Sequence, residues 1–169
     1  MRAQSARTLA AAVLALPLAA ACGGEAETRT DAPSAARVVV SDRYVVRKSA
    51  RGFEATLAAL YEALDRRDLT VFAVIDHAAA AEGAGASLPP TTVVIFGDPE
   101  AGTPLMAAAP VMGAELPLRA LIYERDGEAF VAMTGMANLA RTYQLRDRMD
   151  VVDAVERTLA EIAGEVAGP

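Results

Sequence analysis

Apolar positions recur along this chain in two rhythms, and each rhythm marks its own set of elements. From Arg37 to Lys48, Val38, Val40, Tyr44 and Val46 share one parity with Asp42 interrupting, which predicts a strand bent in its middle. Phe53, Leu57, Leu60, Tyr61 and Leu64 then fall at the spacing of a single helix face, with Glu54, Glu62, Asp65, Arg66 and Arg67 opposite. Alternation returns in Leu69 to Asp76, where Leu69, Val71, Ala73 and Ile75 form one side of a strand. Asp76 is placed to cap a short helix over Ala78 to Glu82, which Gly83 and Gly85 end.

Pro89-Pro90 resets the chain before Thr91 to Phe96, a short apolar strand, and Gly97-Asp98-Pro99 reads as a turn. Thr103-Pro104 supplies an N-cap and a first-turn proline for a helix that Pro110 stops. Leu118 to Glu124 and Glu128 to Thr134 are strand-like runs around Arg125-Asp126-Gly127, a strong hairpin signal. A last helix starts at Asp150 and carries Val151, Val152, Val155, Leu159 and Ile162 before Gly164. The mixture predicts an α+β fold: a small central sheet with helices packed on one face, as a compact single domain over 37–169.

The N-terminal region follows neither rhythm. Arg2 and Arg7 precede an apolar run from Leu9 to Ala21, too short for the roughly 20 helical residues that span a bilayer. A basic start, a short apolar stretch and small residues describe a secretory signal over 1–21. The run closes Leu18-Ala19-Ala20-Ala21-Cys22-Gly23, which resembles a bacterial lipobox, with Ala19 where Leu is usual. In that reading Cys22, the sole cysteine, becomes the N-terminus and carries the lipid (palmitate and its partners), so the chain is a lipoprotein of the cell envelope, anchored to the extracytoplasmic face of a membrane. The other reading is a plain Ala-x-Ala cleavage with an incidental cysteine. Residues 22–36 are small, polar and unpatterned, as a flexible tether would be.

Composition narrows the chemistry. The 169 residues are 53% hydrophobic and 22% charged, which excludes wholesale disorder. One cysteine excludes an internal disulfide framework and a cysteine-rich metal site. The formal charge of −6 and the lack of tryptophan argue against a nucleic-acid partner. No phosphate loop, dinucleotide fingerprint or haem-attachment motif is present, so no cofactor and no metal is predicted.

The segments Phe53-Glu54-Ala55-Thr56, Val71 to His77, Leu88-Pro89-Pro90-Thr91, Phe96 to Met106 and Leu116-Pro117-Leu118-Arg119 together resemble the Domain of Unknown Function 302 family, over about Tyr44 to Arg146. Asp98 stands where the family turn often has Asn, and the second hairpin strand ends Met133-Thr134-Gly135-Met136 where relatives often have a Tyr. The resemblance implies a compact α+β domain and a homodimer; it implies no activity.

The candidate ligand-site residues are Asp76, His77, Asp98, Glu115 and Arg119. His77 is the only histidine, hence the only imidazole base or ligand, although Asp76 capping a helix with His77 satisfied locally is the commoner reason for such a pair. If their strands are neighbours pointing the same way, Asp76-His77 and Gly97-Asp98-Pro99 share one edge and one crevice. Glu115 and Arg119 flank an extended segment as a pocket rim or as solvated charges. Met106, Met112, Met133 and Met136 serve either an apolar pocket or the core. Two function classes follow. The first is a non-catalytic domain that binds a small ligand or an envelope protein partner; the alternative is an envelope hydrolase or metal-dependent enzyme using His77 with nearby carboxylates.

Overall fold

The computed structural model describes residues 43–169. The expected signal peptide, Cys22, the expected tether and positions 37–42 of the expected first strand lie outside the described residues. Strands β1 (Tyr44–Lys48), β2 (Thr70–Asp76), β3 (Thr91–Gly97), β4 (Leu118–Arg125) and β5 (Glu128–Thr134) form one sheet in the order β1-β5-β4-β3-β2, antiparallel throughout. The β4–β5 hairpin turns on Asp126 and Gly127, with φ of 55° and 75°, so both central residues are left-handed as the Asp-Gly signal requires.

One face of this sheet makes the core. In β3, Thr92, Val94 and Phe96 point inward, opposite Ile122, Ala120 and Leu118 of β4 in register. Helices α1 (Phe53–Asp65) and α5 (Met149–Ala167) cover that face, α1 over β4 and β5, α5 over β5 and β1. Leu60, Leu64 and Ile162 are fully buried between the layers. Each such side chain contributes on the order of 1.5–3 kcal/mol of burial. The expected α+β architecture is the one observed.

A polar knot ties the start of α1 to the end of α5. Ser49 Oγ donates to the Ala167 carbonyl at 3.2 Å and accepts from the Arg51 amide at 3.1 Å, and Thr56 Oγ1 donates to Ser49 Oγ at 2.8 Å. The Arg51 guanidinium donates to the Glu165 and Val166 carbonyls at 2.9 and 2.8 Å, placing a cation on the negative end of α5.

Helix α3 (Pro99–Ala108) begins earlier than its internal Thr103-Pro104 suggests. Asp98 is its N-cap, accepting from the Glu100 amide at 2.8 Å, with Pro99 at the first position. Helix α5 also runs past Gly164 to Ala167. A short helix α4 (Met136–Thr142) has no local side-chain cap; Glu156 on α5 accepts the Met136 amide at 2.6 Å instead.

Strand β2 is the exposed edge. Every residue from Thr70 to Asp76 is solvent-exposed, Phe72 at 51%, and α2 (His77–Gly83), which follows it, buries nothing.

Candidate functional site

Where β3 runs into α3, the layers separate and leave a cavity of about 440 Å³, within the ~300–1,000 Å³ range of small-molecule sites. Phe96, Leu105, Leu118 and Met136, all buried, line its depth. Leu116 and Pro117 form one wall and Ala154 and Thr158 of α5 another. Phe72 and Asp98, both exposed, also line it.

Gly97 lies against both neighbours: a Cβ there would be in ordinary contact, 3.6 Å from Pro117 Cβ and 4.0 Å from the Phe72 ring. The β2 register shifts between Val71 and Ala73, a bulge that takes Phe72 out of the regular alternation.

The lining is apolar except at three positions, Asp98, Thr103 and Thr158. Both threonine hydroxyls are turned back into their own helices: Thr103 Oγ1 donates to the Pro99 carbonyl at 2.7 Å and Thr158 Oγ1 to the Ala154 carbonyl at 3.1 Å. Among the described residues of the lining, Asp98 is the only ionisable one.

The five candidate residues scatter. The antiparallel pairing of β2 and β3 sets Asp76 opposite Thr92 and Thr70 opposite Gly97. Asp76-His77 and Asp98 therefore lie at opposite ends of the strand pair, about 20 Å apart along it at ~3.4 Å per residue. The shared edge and crevice expected for them is corrected accordingly: it required neighbouring strands pointing the same way, and these point in opposite directions. Asp76 Oδ1 accepts the Ala79 amide at 2.9 Å as the N-cap of α2, and His77 stands exposed on that helix.

Glu115 is held by two residues that the sequence did not single out. Arg43 Nη2 donates to both its oxygens, at 3.1 and 3.3 Å, and Tyr143 Oη donates to Oε1 at 2.9 Å. That hydrogen bond to the carboxylate raises the Tyr143 phenol above its ordinary pKa. Arg119 sits on β4 opposite Ile95, exposed, on the sheet face away from the core.

Of the five, Asp98 alone lines the cavity. Met106 and Met136 join it there, whereas Met112 and Met133 are core. Among the described residues, no three His, Cys, Asp or Glu side chains gather as a metal site. Phe72 and Thr158 carried no sequence signal for a shared cavity, since a bulge and a tertiary contact bring them to it.

The family model and a solved structure agree on the fold. A solved structure, an uncharacterized conserved DUF302 protein from Bacillus stearothermophilus, superposes with a TM-score of 0.68 at 15% identity, covering 75% of this chain and 99% of its own. A protein of Brucella suis named fluoride-specific ion channel FluC 1 is 40% identical over 84 residues, 49% of this chain and 33% of its own length. Its Brucella abortus namesake matches equally over 31% of its length. The chain thus spans about a third of the length of these curated relatives. The model of the domain of unknown function DUF302 matches residues 45–166, which takes in every element from β1 to the last turns of α5. This chain belongs to the DUF302 family.

Proposed function

We propose that the domain is a non-catalytic binding module for a small apolar molecule, held at the extracytoplasmic face of a membrane by lipid on Cys22. The observation that carries the reading is the cavity: about 440 Å³, with a predominantly apolar lining drawn from β2, β3, β4, three helices and the Leu116-Pro117 segment. A site of that size and lining gains affinity from burying apolar surface.

The membrane side of the proposal draws on the sequence Leu18 to Gly23 and on relatives that bear the name of an ion channel. Among the described residues no helix is long and apolar enough to cross a membrane, so in this reading the lipid supplies the attachment. A homodimer belongs to the same proposal, supported by the unpaired outer edge of β2 with its exposed Val74 and Ile75.

Ala154 is exposed on α5 at the cavity wall, so Ala154→Trp fills the opening without touching the core. The wild-type chain is expected to enhance the fluorescence of N-phenyl-1-naphthylamine, a neutral apolar probe, and Ala154→Trp to lose that enhancement. Equal signals from the two proteins would refute the binding reading. Processed Cys22→Ser protein is expected in the soluble fraction of a membrane separation; tight retention would refute the anchor.

A further inference from the structure

The cavity's side-chain polar inventory is one-sided. A ligand donor finds an acceptor in Asp98, while a ligand acceptor finds no side-chain donor, because the Thr103 and Thr158 hydroxyl protons are already given to Pro99 and Ala154 carbonyls. Only one oxygen of Asp98 is committed, Oδ1, to the Glu100 amide. Pro99 has no amide hydrogen to offer at the start of α3, and the Glu100 amide is already used. The full charge of the Asp98 carboxylate exceeds the partial positive charge of roughly half a unit at the helix N-terminus.

The second observation is aromatic. Phe72 lines the same cavity with half its surface open to solvent, and its ring edge comes within 4.0 Å of the Cβ position of Gly97, the residue next to Asp98. A carboxylate and an exposed aromatic ring lining one cavity suit a cation, through charge from one and the ring quadrupole from the other.

We infer that the ligand is a cationic amphiphile: an apolar chain or ring system seated on Phe96, Leu105 and Leu118, ending in an ammonium group at Asp98 and Phe72. This rests on the apolar-binding reading and goes beyond it by fixing the charge of the ligand. An anionic amphiphile of the same length is disfavoured, because it brings a second negative charge to Asp98 and meets no side-chain donor.

The test uses three ligands with one tail and different heads. The ¹⁵N-labelled full chain is titrated with octyltrimethylammonium, octanol and octanoate, and Kd is read from the amide shifts of Gly97 and Gly102. The cation is expected to bind about 5-fold tighter than the alcohol, as a partly exposed ion pair or cation–π contact of ~1 kcal/mol gives, with octanoate weakest. Asp98→Asn keeps an equally good N-cap and leaves α3 formed, so it is expected to abolish the preference while alcohol binding persists. Phe72→Leu is expected to weaken the cation alone. Equal Kd values for the three heads, or a preference unchanged in Asp98→Asn, would overturn the inference and leave the apolar pocket standing. No shift at Gly97 and Gly102 with any of the three would overturn both.

Discussion

The knot of Ser49 and Thr56 makes a quantitative prediction about stability. Thr56 is fully buried and Ser49 is 5% exposed, so neither hydroxyl has bulk water as a partner. Thr56 Oγ1 has one proton and two good acceptors, Ser49 Oγ at 2.8 Å and the Gly52 carbonyl at 2.9 Å. Thr56→Val keeps the shape, leaves Ser49 Oγ its Arg51 amide and removes one hydroxyl bond, a loss of about 1 kcal/mol.

Ser49→Ala removes more. The Ala167 carbonyl keeps the Ala50 amide at 2.7 Å, but the Arg51 amide loses its acceptor and the Thr56 proton is left with the Gly52 carbonyl at 2.9 Å and the more distant Arg51 carbonyl at 3.4 Å. Its expected cost is about 2 kcal/mol. The two residues share a hydrogen bond, so the double variant should fall short of the sum by about 0.5–1 kcal/mol. Urea unfolding of the full chain and its three variants measures this. Additivity within about 0.3 kcal/mol would refute the shared network, as would a Thr56→Val protein as stable as wild type.

Three further outcomes are expected. Gly127→Ala meets no atoms within 4 Å, so its cost is the strain of a Cβ at φ 75°, about 1 kcal/mol; unchanged urea stability would refute the left-handed turn. Hydrogen bonds from Arg67 and then Arg66 hold the Glu165 carboxyl at about 2 rather than 4.5, so this cluster's support is complete above about pH 4.5 and is lost as pH falls through about 2. Arg67→Gln should raise the Glu165 midpoint read by ¹³C NMR, and an unmoved midpoint would refute the pairing. Ile75→Lys on the outer edge of β2 should leave only monomer in sedimentation if that edge joins two copies, and an unchanged dimer would refute the edge as the interface.

Local signals carried most of the fold. The β4–β5 hairpin was legible because two left-handed residues between alternating runs leave few other conformations to the chain. The start of α3 misled because a cap and a proline occur twice, as Asp98-Pro99 and as Thr103-Pro104, and the first pair initiates the helix. Helix α4 was invisible because its N-terminus is satisfied by Glu156, twenty positions along the chain. Directions of strand pairing are also non-local, and that is why His77 and Asp98 were joined on paper and lie apart in the sheet. The cavity took one residue from the candidate set, Asp98, and drew the rest from surfaces whose meeting no spacing encodes.

The sheet order has a kinetic meaning. From β2 to β5 each strand lies beside the one that follows it in the chain, so this part of the sheet is built by short closures in the order of synthesis. The first strand is different: Lys48 has its partner in Phe130, and Ser49 its partner in Ala167. Closure of so long a loop loses more entropy than any hairpin in the domain, and it has no partner until β5 exists. Of the five strands, the one made first is thus the last to acquire protected amides. A chain cut short before Glu128 strands β1 and the start of α1 without the neighbours that fix them.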